Sequence, residues 1–224
     1  MDSGQAQVLC EQYLDGVLEI NKTTNLTRID NREEALVLHI EDSLVGLPEI
    51  NEAPEGKYAD LGSGGGFPGV PLALYTGRDT LLVDSVKKKM RLVSELIASL
   101  GCSDAIHVYD GRIEDLAKEH KGEFAVLTAR ALSRLVSLLE LASPLLMKKG
   151  RLVCYKADIT EEEVDEAQAV ASLLGMKLLS RRETVLSDGE TKRTILTYEK
   201  IGPARLKLPR RVGMAQRNPL RPRD

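Results

Sequence analysis

The sequence Asp60-Leu-Gly-Ser-Gly-Gly-Gly-Phe-Pro-Gly69 decides the fold of this protein. It overlaps the end of a short predicted strand, residues 58–61, and leads directly into a helical pattern. Glycine lets a backbone turn tightly and approach a ligand without a Cβ in the way. The first turn of the following helix directs free N–H groups toward that ligand. The stretch therefore predicts a strand–loop–helix unit that binds a ligand through its backbone.

Strand and helix patterns alternate from residue 57 onward, which predicts βαβ units and a mainly parallel sheet. The last two predicted strands are joined by Ser187-Asp-Gly-Glu190, a turn sequence typical of an antiparallel hairpin. Nicotinamide-binding folds usually lack this ending, whereas class I methyltransferase folds have it. We therefore predict an α/β fold with the Rossmann-like sheet of class I S-adenosylmethionine-dependent methyltransferases, mostly parallel with a C-terminal antiparallel hairpin. The predicted strands occupy residues 58–61, 80–84, 105–108, 124–128, 151–155, 177–186 and 192–200.

The chain divides into three predicted parts. Residues 1–50 contain two helical patterns, the second ended by Pro48, and predict an N-terminal helical cap. Residues 57–200 form the predicted methyltransferase domain. Residues 201–224 form a tail with seven Lys or Arg residues and one acidic residue, although the whole chain has a net charge of −3. A basic tail on an acidic body indicates a polyanionic partner, and a solvated, partly disordered tail is the alternative.

Length and composition exclude several classes of protein. The chain has 224 residues, of which 42% are hydrophobic and 29% charged, as in an ordinary globular domain. The three cysteines form no C-x-x-C pair, so we expect neither a disulfide framework nor a metal site. The N-terminus lacks a signal-peptide pattern, and no apolar run approaches the roughly 18 residues that cross a bilayer. These features favour a cytoplasmic protein with no membrane partner.

Residues near the glycine loop distinguish between two kinds of cofactor. Asp60 lies two residues before Gly62, where a carboxylate suits the α-ammonium group of a methionine moiety and would repel a pyrophosphate. Pro68 and Pro71 remove N–H donors that a pyrophosphate would need. Asp84, at the end of the second predicted strand, can bind both ribose hydroxyls of either cofactor, and a helix N-cap is its structural alternative. The pattern therefore favours S-adenosylmethionine over a dinucleotide.

Further polar residues follow the other predicted strands. Glu114 follows the third strand, Arg130 the fourth and Lys156 the fifth. Because ligands of open α/β sheets bind at the carboxyl ends of the strands, we expect these side chains around one crevice. The sequence shows no nucleophile–base pair beside them. A packed or partly exposed side chain is the usual case for a histidine such as His39, and a functional role is the alternative.

Seven segments together resemble one family, the small-subunit ribosomal RNA guanine-N7 methyltransferases, also called glucose-inhibited division protein B. The glycine-proline loop followed by an Arg-Ala element is far more specific than a bare G-x-G-x-x-G pattern. One departure is Phe67, where many members have a smaller aliphatic residue. The segments are Asn25-Leu-Thr27, His39-Ile-Glu-Asp-Ser43, the run from Asp60 to Leu72, Asp84-Ser85, Arg112-Ile-Glu114, Ala129-Arg-Ala131 and the run from Pro209 to Leu220.

The resemblance implies transfer of a methyl group from S-adenosylmethionine to N7 of one guanine in 16S rRNA, within the small ribosomal subunit or its precursor. The N7 lone pair needs no general base, so the protein would mainly align the reacting atoms in line and exclude water. Arg130 would donate toward the cofactor carboxylate or the guanine O6. His39 and Asp42 would support the N-terminal cap over the cofactor.

The predicted sites fall into two groups. The cofactor-binding residues are predicted to be Asp60, Gly62, Ser63, Gly64, Phe67, Asp84, Ser85, Ile113, Glu114 and Arg130. The RNA-binding residues are predicted to be Asn25, Lys156, Arg210, Arg211 and Arg217.

Three alternative functions predict different sequence features or experimental results. An NAD-dependent oxidoreductase would need a catalytic acid or base, which the sequence lacks. A methyltransferase acting on a protein or small molecule would keep its activity after truncation at Ile201. A non-catalytic RNA-binding module would bind no S-adenosylmethionine. The sequence indicates no stable protein partner.

Overall fold

The sheet of this protein contains seven strands. A computed structural model describes residues 2–221, and the strands are β1 (Lys57–Leu61), β2 (Thr80–Val83), β3 (Ile106–Tyr109), β4 (Phe124–Arg130), β5 (Leu146–Lys156), β6 (Met176–Val185) and β7 (Lys192–Lys200). Their order is β3-β2-β1-β4-β5-β7-β6. Strands β1 to β5 pair in parallel, and β7 runs antiparallel to both β5 and β6. The predicted mostly parallel sheet with a C-terminal antiparallel hairpin is confirmed.

Helices cover both faces of this sheet. Leu82 and Val83 are neighbours in β2, yet they belong to different hydrophobic clusters. This is expected because successive side chains of a strand point to opposite faces. The helices are α1 (Ser3–Asn21), α2 (Arg32–Ala35), α3 (Asp42–Leu44), α4 (Leu47–Asn51), α5 (Gly69–Thr76), α6 (Lys87–Ser99), α7 (Ile113–Glu119), α8 (Leu135–Ala142), α9 (Glu161–Ala171) and α10 (Met214–Arg217). Among residues 2–221, no helix is long and apolar enough to cross a membrane.

The central strand β4 explains why the sheet is covered on both sides. Its sequence, FAVLTAR, is buried at every position except the terminal Arg130, which is half-buried. A continuous buried run is typical of parallel strands between two helical layers. In the sheet register, Thr128 of β4 and Leu82 of β2 flank Asp60 of β1. The carboxyl ends of β1 and β4 therefore meet beside the glycine loop.

The N-terminal helices pack on the sheet-covering helices α5 and α6. Buried residues of α1, including Tyr13, Leu14 and Val17, share one hydrophobic cluster with Val70 and Met90. Helices α2 and α3 are joined without interruption by a π-helical segment, Leu36–Glu41. The N-terminal region and the sheet thus share part of one core.

Pro48 does not end the second helical pattern as predicted. The helix ends before it, and Pro48 is the second residue of the separate short helix α4. Proline is tolerated in a first turn because its missing N–H has no intrahelical partner there in any case. Helix α4 is tied to the hairpin, since the Arg182 guanidinium donates to both carboxylate oxygens of Glu49 at 2.7 and 2.9 Å.

The C-terminal tail folds back onto the domain instead of projecting into solvent. Ala215 of α10 is buried, and Leu206, Leu208 and Leu220 pack against the main hydrophobic cluster. The predicted tail extends to residue 224, and its last part, including Arg223 and Asp224, lies outside the described residues. Within residues 201–221, the alternative of a disordered tail is not what the structure shows.

Candidate cofactor and substrate site

The glycine loop turns sharply at the end of β1. Gly62, Gly64 and Gly66 all have positive φ angles, of 76°, 56° and 86°. Side chains with a Cβ rarely adopt this region, so glycine is needed at these turns. The amides of Gly62 and Ser63 donate to the carbonyl oxygen of Val83 at 2.8 and 3.0 Å. The loop is thereby fixed against the end of β2.

Asp60 anchors this loop from below. Its side chain is fully buried and accepts hydrogen bonds from Ser63 Oγ at 2.6 Å, Gly69 N at 3.1 Å and Thr128 Oγ1 at 2.7 Å. Burial raises the pKa of this carboxyl, while these hydrogen bonds and the charge of Arg130 act in the opposite direction. The predicted partner of Asp60 was the ammonium group of a cofactor. In the structure its Oδ2 holds the two ends of the glycine loop together, and its contact with a cofactor stays a prediction.

Asp84 lies where a ribose-binding carboxylate was predicted. Its two oxygens accept from Gly64 N at 3.0 Å and from Val86 N at 2.8 Å. The second bond closes a turn before α6, whose N-cap residue is Val86, so Asp84 is not itself the helix N-cap. Asp84 and four other predicted cofactor residues line one cavity. These four are Gly62, Ser85, Ile113 and Glu114.

Two residues that sequence reasoning missed also line this cavity, Leu132 and Gln216. Its volume is about 70 Å³, whereas pockets that hold drug-sized ligands measure roughly 300–1,000 Å³. A Cβ on Gly62 would lie 2.6 Å from a methyl carbon of Leu132. Leu132 therefore packs against the glycine loop at Gly62 and narrows this cavity.

The N-terminal helices hold the outer side of the glycine loop. Tyr13 donates through its hydroxyl to the carbonyl oxygen of Gly65 at 3.0 Å. Phe67 is buried, with its ring stacked on His39 at a centroid distance of 4.5 Å and in edge contact with Tyr13 at 5.6 Å. Phe67 thus joins the loop to the N-terminal helices. The predicted contact of Phe67 with the cofactor stays a prediction.

His39 is held as a neutral ring. It is buried, its Nε2 lies 2.7 Å from Thr27 Oγ1, and within residues 2–221 its Nδ1 has no hydrogen-bond partner. Burial, reinforced by the charge of Arg130, lowers the pKa of His39 to about 4. The ring, which belongs to the π-helical segment, therefore packs as an uncharged group against Phe67.

Arg130 meets the N-terminal helices at the carboxyl end of β4. Its guanidinium donates to Asp42 Oδ2 at 2.7 Å and to the carbonyl oxygen of Leu38 at 3.2 Å. Arg193, at the start of β7, also donates to both Asp42 oxygens, at 2.7 and 3.1 Å. The Asp42 carboxylate is almost fully buried between these two cations. Sequence reasoning missed Arg193 because its partner lies 151 positions away in the chain.

A second cavity, of about 340 Å³, begins on the other side of Leu132. Its walls include Arg130, Lys156, Asp158 and Arg193. Because Leu132 lines both cavities, the two predicted strand-end cations face a space adjacent to the glycine-loop cavity. Among residues 2–221, no group of three His, Cys, Asp or Glu side chains is placed to hold a metal ion.

Lys156, predicted to bind RNA, is paired inside the protein. Its ammonium donates to Glu163 Oε1 at 2.7 Å and to the carbonyl oxygen of Ser133 at 2.8 Å. Only about 14% of its side chain is exposed. Lys156 therefore fixes the loop after β4 against α9, and its charge is largely neutralised.

The remaining predicted RNA-binding residues lie in two places. Asn25 lines a groove of about 770 Å³ together with the basic residues Lys22, Arg28 and Lys89. Arg211 and Arg217 are exposed on the tail, and the Arg217 guanidinium donates only to main-chain carbonyls within the described residues. These two tail residues and the groove keep positive charge at the surface.

Arg210 differs from its neighbours in the tail. Its guanidinium donates to both oxygens of the buried Glu140, at 2.7 and 2.5 Å, and to the carbonyl oxygen of Asn218 at 2.9 Å. A bidentate pair of this kind is a strong, directional contact. Arg210 therefore fastens the tail to α8, and its charge is paired with the Glu140 carboxylate.

Comparisons with solved structures show the same fold. An O-methyltransferase from Bacillus cereus in complex with S-adenosylhomocysteine has a TM-score of 0.60 at 15% identity, over 84% of this chain and 90% of that one. A geranyl diphosphate methyltransferase in complex with S-adenosylmethionine has a TM-score of 0.58 at 12% identity, over 72% of this chain and 85% of that one. These likenesses show that the chain has the fold of class I S-adenosylmethionine-dependent methyltransferases.

Sequence comparison is more specific. The profile of the family described as rRNA small subunit methyltransferase G matches residues 6–193. The chain is 33% identical to ribosomal RNA small subunit methyltransferase G of Alkaliphilus metalliredigens, over 99% of this chain and 93% of that protein. It is 34% identical to the protein of the same name from Streptococcus gordonii, over 94% of this chain and 90% of that protein. The chain belongs to the rRNA small subunit methyltransferase G family.

Proposed function

We propose that this protein transfers a methyl group from S-adenosylmethionine to N7 of one guanine in 16S rRNA, in the cytoplasm. The observation that carries the proposal is the family match over residues 6–193. The geometry supports it, because a glycine-loop cavity and a cation-lined cavity adjoin at Leu132. A methyl group could pass between ligands placed in these two spaces.

The residues of the first cavity suit the adenosine of S-adenosylmethionine. Each Asp84 oxygen accepts one hydrogen bond, from a main-chain N–H group. The remaining lone pairs of the carboxylate are therefore available to ribose hydroxyls. A Cβ at Gly64 would meet no atom closer than 4.0 Å, which leaves open space above the loop. The cofactor supplies an activated methyl group when it is bound. The chain's own part is to hold it and orient it.

The second cavity suits a guanine held for attack through N7. That nitrogen carries a free lone pair at neutral pH, so no side chain has to remove a proton from it. Arg130 lies at the cavity wall, where its N–H groups could donate to the guanine O6. Positioning of the base and exclusion of water would then provide most of the rate increase. We propose Arg130 as a positioning residue for this step.

Recognition of the RNA would rest on shape and phosphate contacts. Aromatic residues make up only 4% of the chain, with no tryptophan, so few bases can be stacked. The groove around Asn25 and the exposed Arg211 and Arg217 would contact phosphates. We propose that the small ribosomal subunit or its precursor, and not free rRNA, presents the required shape. The helical cap, residues 1–50, would help to frame the site.

Methyl transfer by an Asp84 variant tests the assignment of the cofactor site. Asp84→Ala removes the proposed ribose ligand, and we expect the affinity for S-adenosylmethionine and the labelling of 16S rRNA at low cofactor concentration to fall at least about tenfold. Asp79→Ala is the matched control, because Asp79 is an exposed carboxylate at the opposite end of the same strand. Equal affinity of the Asp84→Ala variant and the native protein would contradict the proposed site.

A further inference from the structure

Residues 210–218 of the tail are fastened to the body of the protein at three points. Glu140 binds Arg210 as described above. The main-chain N–H of Gly213 donates to Glu114 Oε1 at 2.6 Å, and Ser137 Oγ donates to the carbonyl oxygen of Ala215 at 2.7 Å. Glu114, Ser137, Glu140 and Ala215 are all buried. The tail between residues 210 and 218 therefore has a fixed position on α7 and α8.

One of these contacts involves a predicted cofactor residue. Glu114 lines the glycine-loop cavity, and its carboxylate accepts the hydrogen bond from Gly213. Glu114 therefore connects that cavity with the tail. The exposed residue that follows Ala215 is Gln216, which lines the same cavity. A residue of the supposed RNA-binding tail thus forms part of the cofactor pocket.

We propose that Gln216 contacts the adenine ring of S-adenosylmethionine and that residues 210–218 complete the adenosine pocket. The inference rests on the cofactor site proposed above. With the ribose at Asp84, the cavity leaves the side of Ile113, Glu114 and Gln216 for the base. A carboxamide presents one donor and one acceptor side by side, which matches the amino group of adenine and a neighbouring ring nitrogen.

The contact with Gln216 would also couple cofactor binding to the positive charge of the tail. Arg211 and Arg217 are exposed on the segment that carries Gln216. A cofactor that binds Gln216 would fix this segment further and, with it, the position of the two arginines. Binding of the cofactor would then favour binding of a polyanion, and the reverse would hold by linkage.

Calorimetric binding of S-adenosylhomocysteine tests the contact. Gln216→Ala removes the carboxamide, and we expect the affinity to fall roughly 3- to 20-fold, as for one or two neutral hydrogen bonds. Arg211→Ala is the control, because it alters the same segment without touching the cavity, and it should bind like the native protein. S-inosylhomocysteine, in which an oxygen replaces the adenine amino group, should bind less well to the native protein, and Gln216→Ala should lose most of that discrimination.

The outcomes separate the inference from the cofactor assignment. If the native protein binds S-adenosylhomocysteine and Gln216→Ala binds it equally well with unchanged discrimination, the inference is overturned. If the native protein binds neither compound, the cofactor assignment fails, and the inference fails with it. Amide exchange of the native protein gives a readout that needs no variant. S-adenosylhomocysteine should slow exchange of the Gly213 N–H, and unchanged exchange would count against the proposal.

Discussion

Asp60 is fully buried, and its carboxylate accepts hydrogen bonds from three protein groups. Two come from the glycine loop and its helix, and one comes from Thr128 on the neighbouring strand. A buried acceptor surrounded by donors is costly to replace, because an unsatisfied group loses its hydration without compensation. Asp60 thus acts on the cofactor site through the loop that it shapes.

Replacing this carboxylate should therefore affect folding first. Asp60→Asn places an amide donor against Ser63, Gly69 or Thr128, and we expect the free energy of unfolding to fall by about 2 kcal/mol. Urea denaturation measures this change, with Asp79→Asn, at an exposed carboxylate, as the control. A variant as stable as the native protein, with only its cofactor affinity reduced, would show that Asp60 serves the ligand directly.

His39 provides a prediction about pH. Its pKa is about 4 in the folded state and about 6.5 in an unfolded chain, so below pH 6.5 the unfolded state binds more protons. Its neutral ring therefore supports folding fully above pH 6.5, and that support is lost as the pH falls toward 4. Between pH 7.5 and pH 5 this group should cost roughly 2 kcal/mol of stability.

Denaturation of His39→Gln at the two pH values isolates the effect. The variant has no group that titrates at this position, so its stability should change less between pH 7.5 and pH 5 than that of the native protein. Equal pH dependence in both proteins would mean that the ring of His39 is free to take up a proton in the folded state.

Among the secondary-structure elements, strand β5 shows where a local pattern misleads. It begins at Leu146, five residues before the predicted start. The additional residues include Lys148-Lys-Gly150, a sequence that resembles a turn. In the structure Lys149 has a φ of 68°, and the register of β5 against β4 shifts nearby. The pairing of Phe124 with Leu146 continues the sheet across this irregularity. Only the tertiary structure shows that a turn-like sequence lies inside a strand.

The tail shows a similar limit at the scale of an element. Its charge predicted contact with a polyanion, but charge alone does not reveal that Glu140 is buried opposite Arg210. Truncation at Ile201 therefore no longer separates an RNA substrate from a protein or small-molecule substrate. The shortened chain loses part of its core as well as its positive charge.

This truncation should be strongly destabilising. It exposes apolar surface beneath Leu206, Leu208 and Ala215 and leaves Glu140 buried without its cation. We expect a loss of several kcal/mol and a decrease in Tm of about 10 °C. Arg211→Ala removes exposed charge only and should melt like the native protein. An unchanged Tm after truncation would contradict the docked position of the tail.

At the scale of the whole molecule, Asp42 joins the wall of the second cavity to the N-terminal helices. It ties Arg130 of β4 and Arg193 of β7 to the N-terminal helices. The sequence predicted that Arg130 and Asp42 belong to the site, because each lies in a segment that resembles the family. It could not predict that they contact each other, since no local pattern relates positions 88 residues apart.

The strands' places along the chain, the hairpin and the glycine loop could be predicted, because hydrophobic periodicity and turn residues are local features. Leu132 and Gln216 could not be predicted as cavity residues. Leu132 has no polar group, and Gln216 reaches the cavity only because the tail folds back. The parts of the site that depend on long-range contacts therefore needed the structure.

The most direct test of the whole account is to locate the methyl group on the product. Small ribosomal subunits that lack the modification are incubated with the protein and S-adenosylmethionine, and the rRNA is then cleaved at N7-methylated guanines. We expect one cleavage site in 16S rRNA, with little or none when naked rRNA replaces the subunits. Methylation at a different atom, or at no position in either substrate despite cofactor binding, would contradict the proposed function.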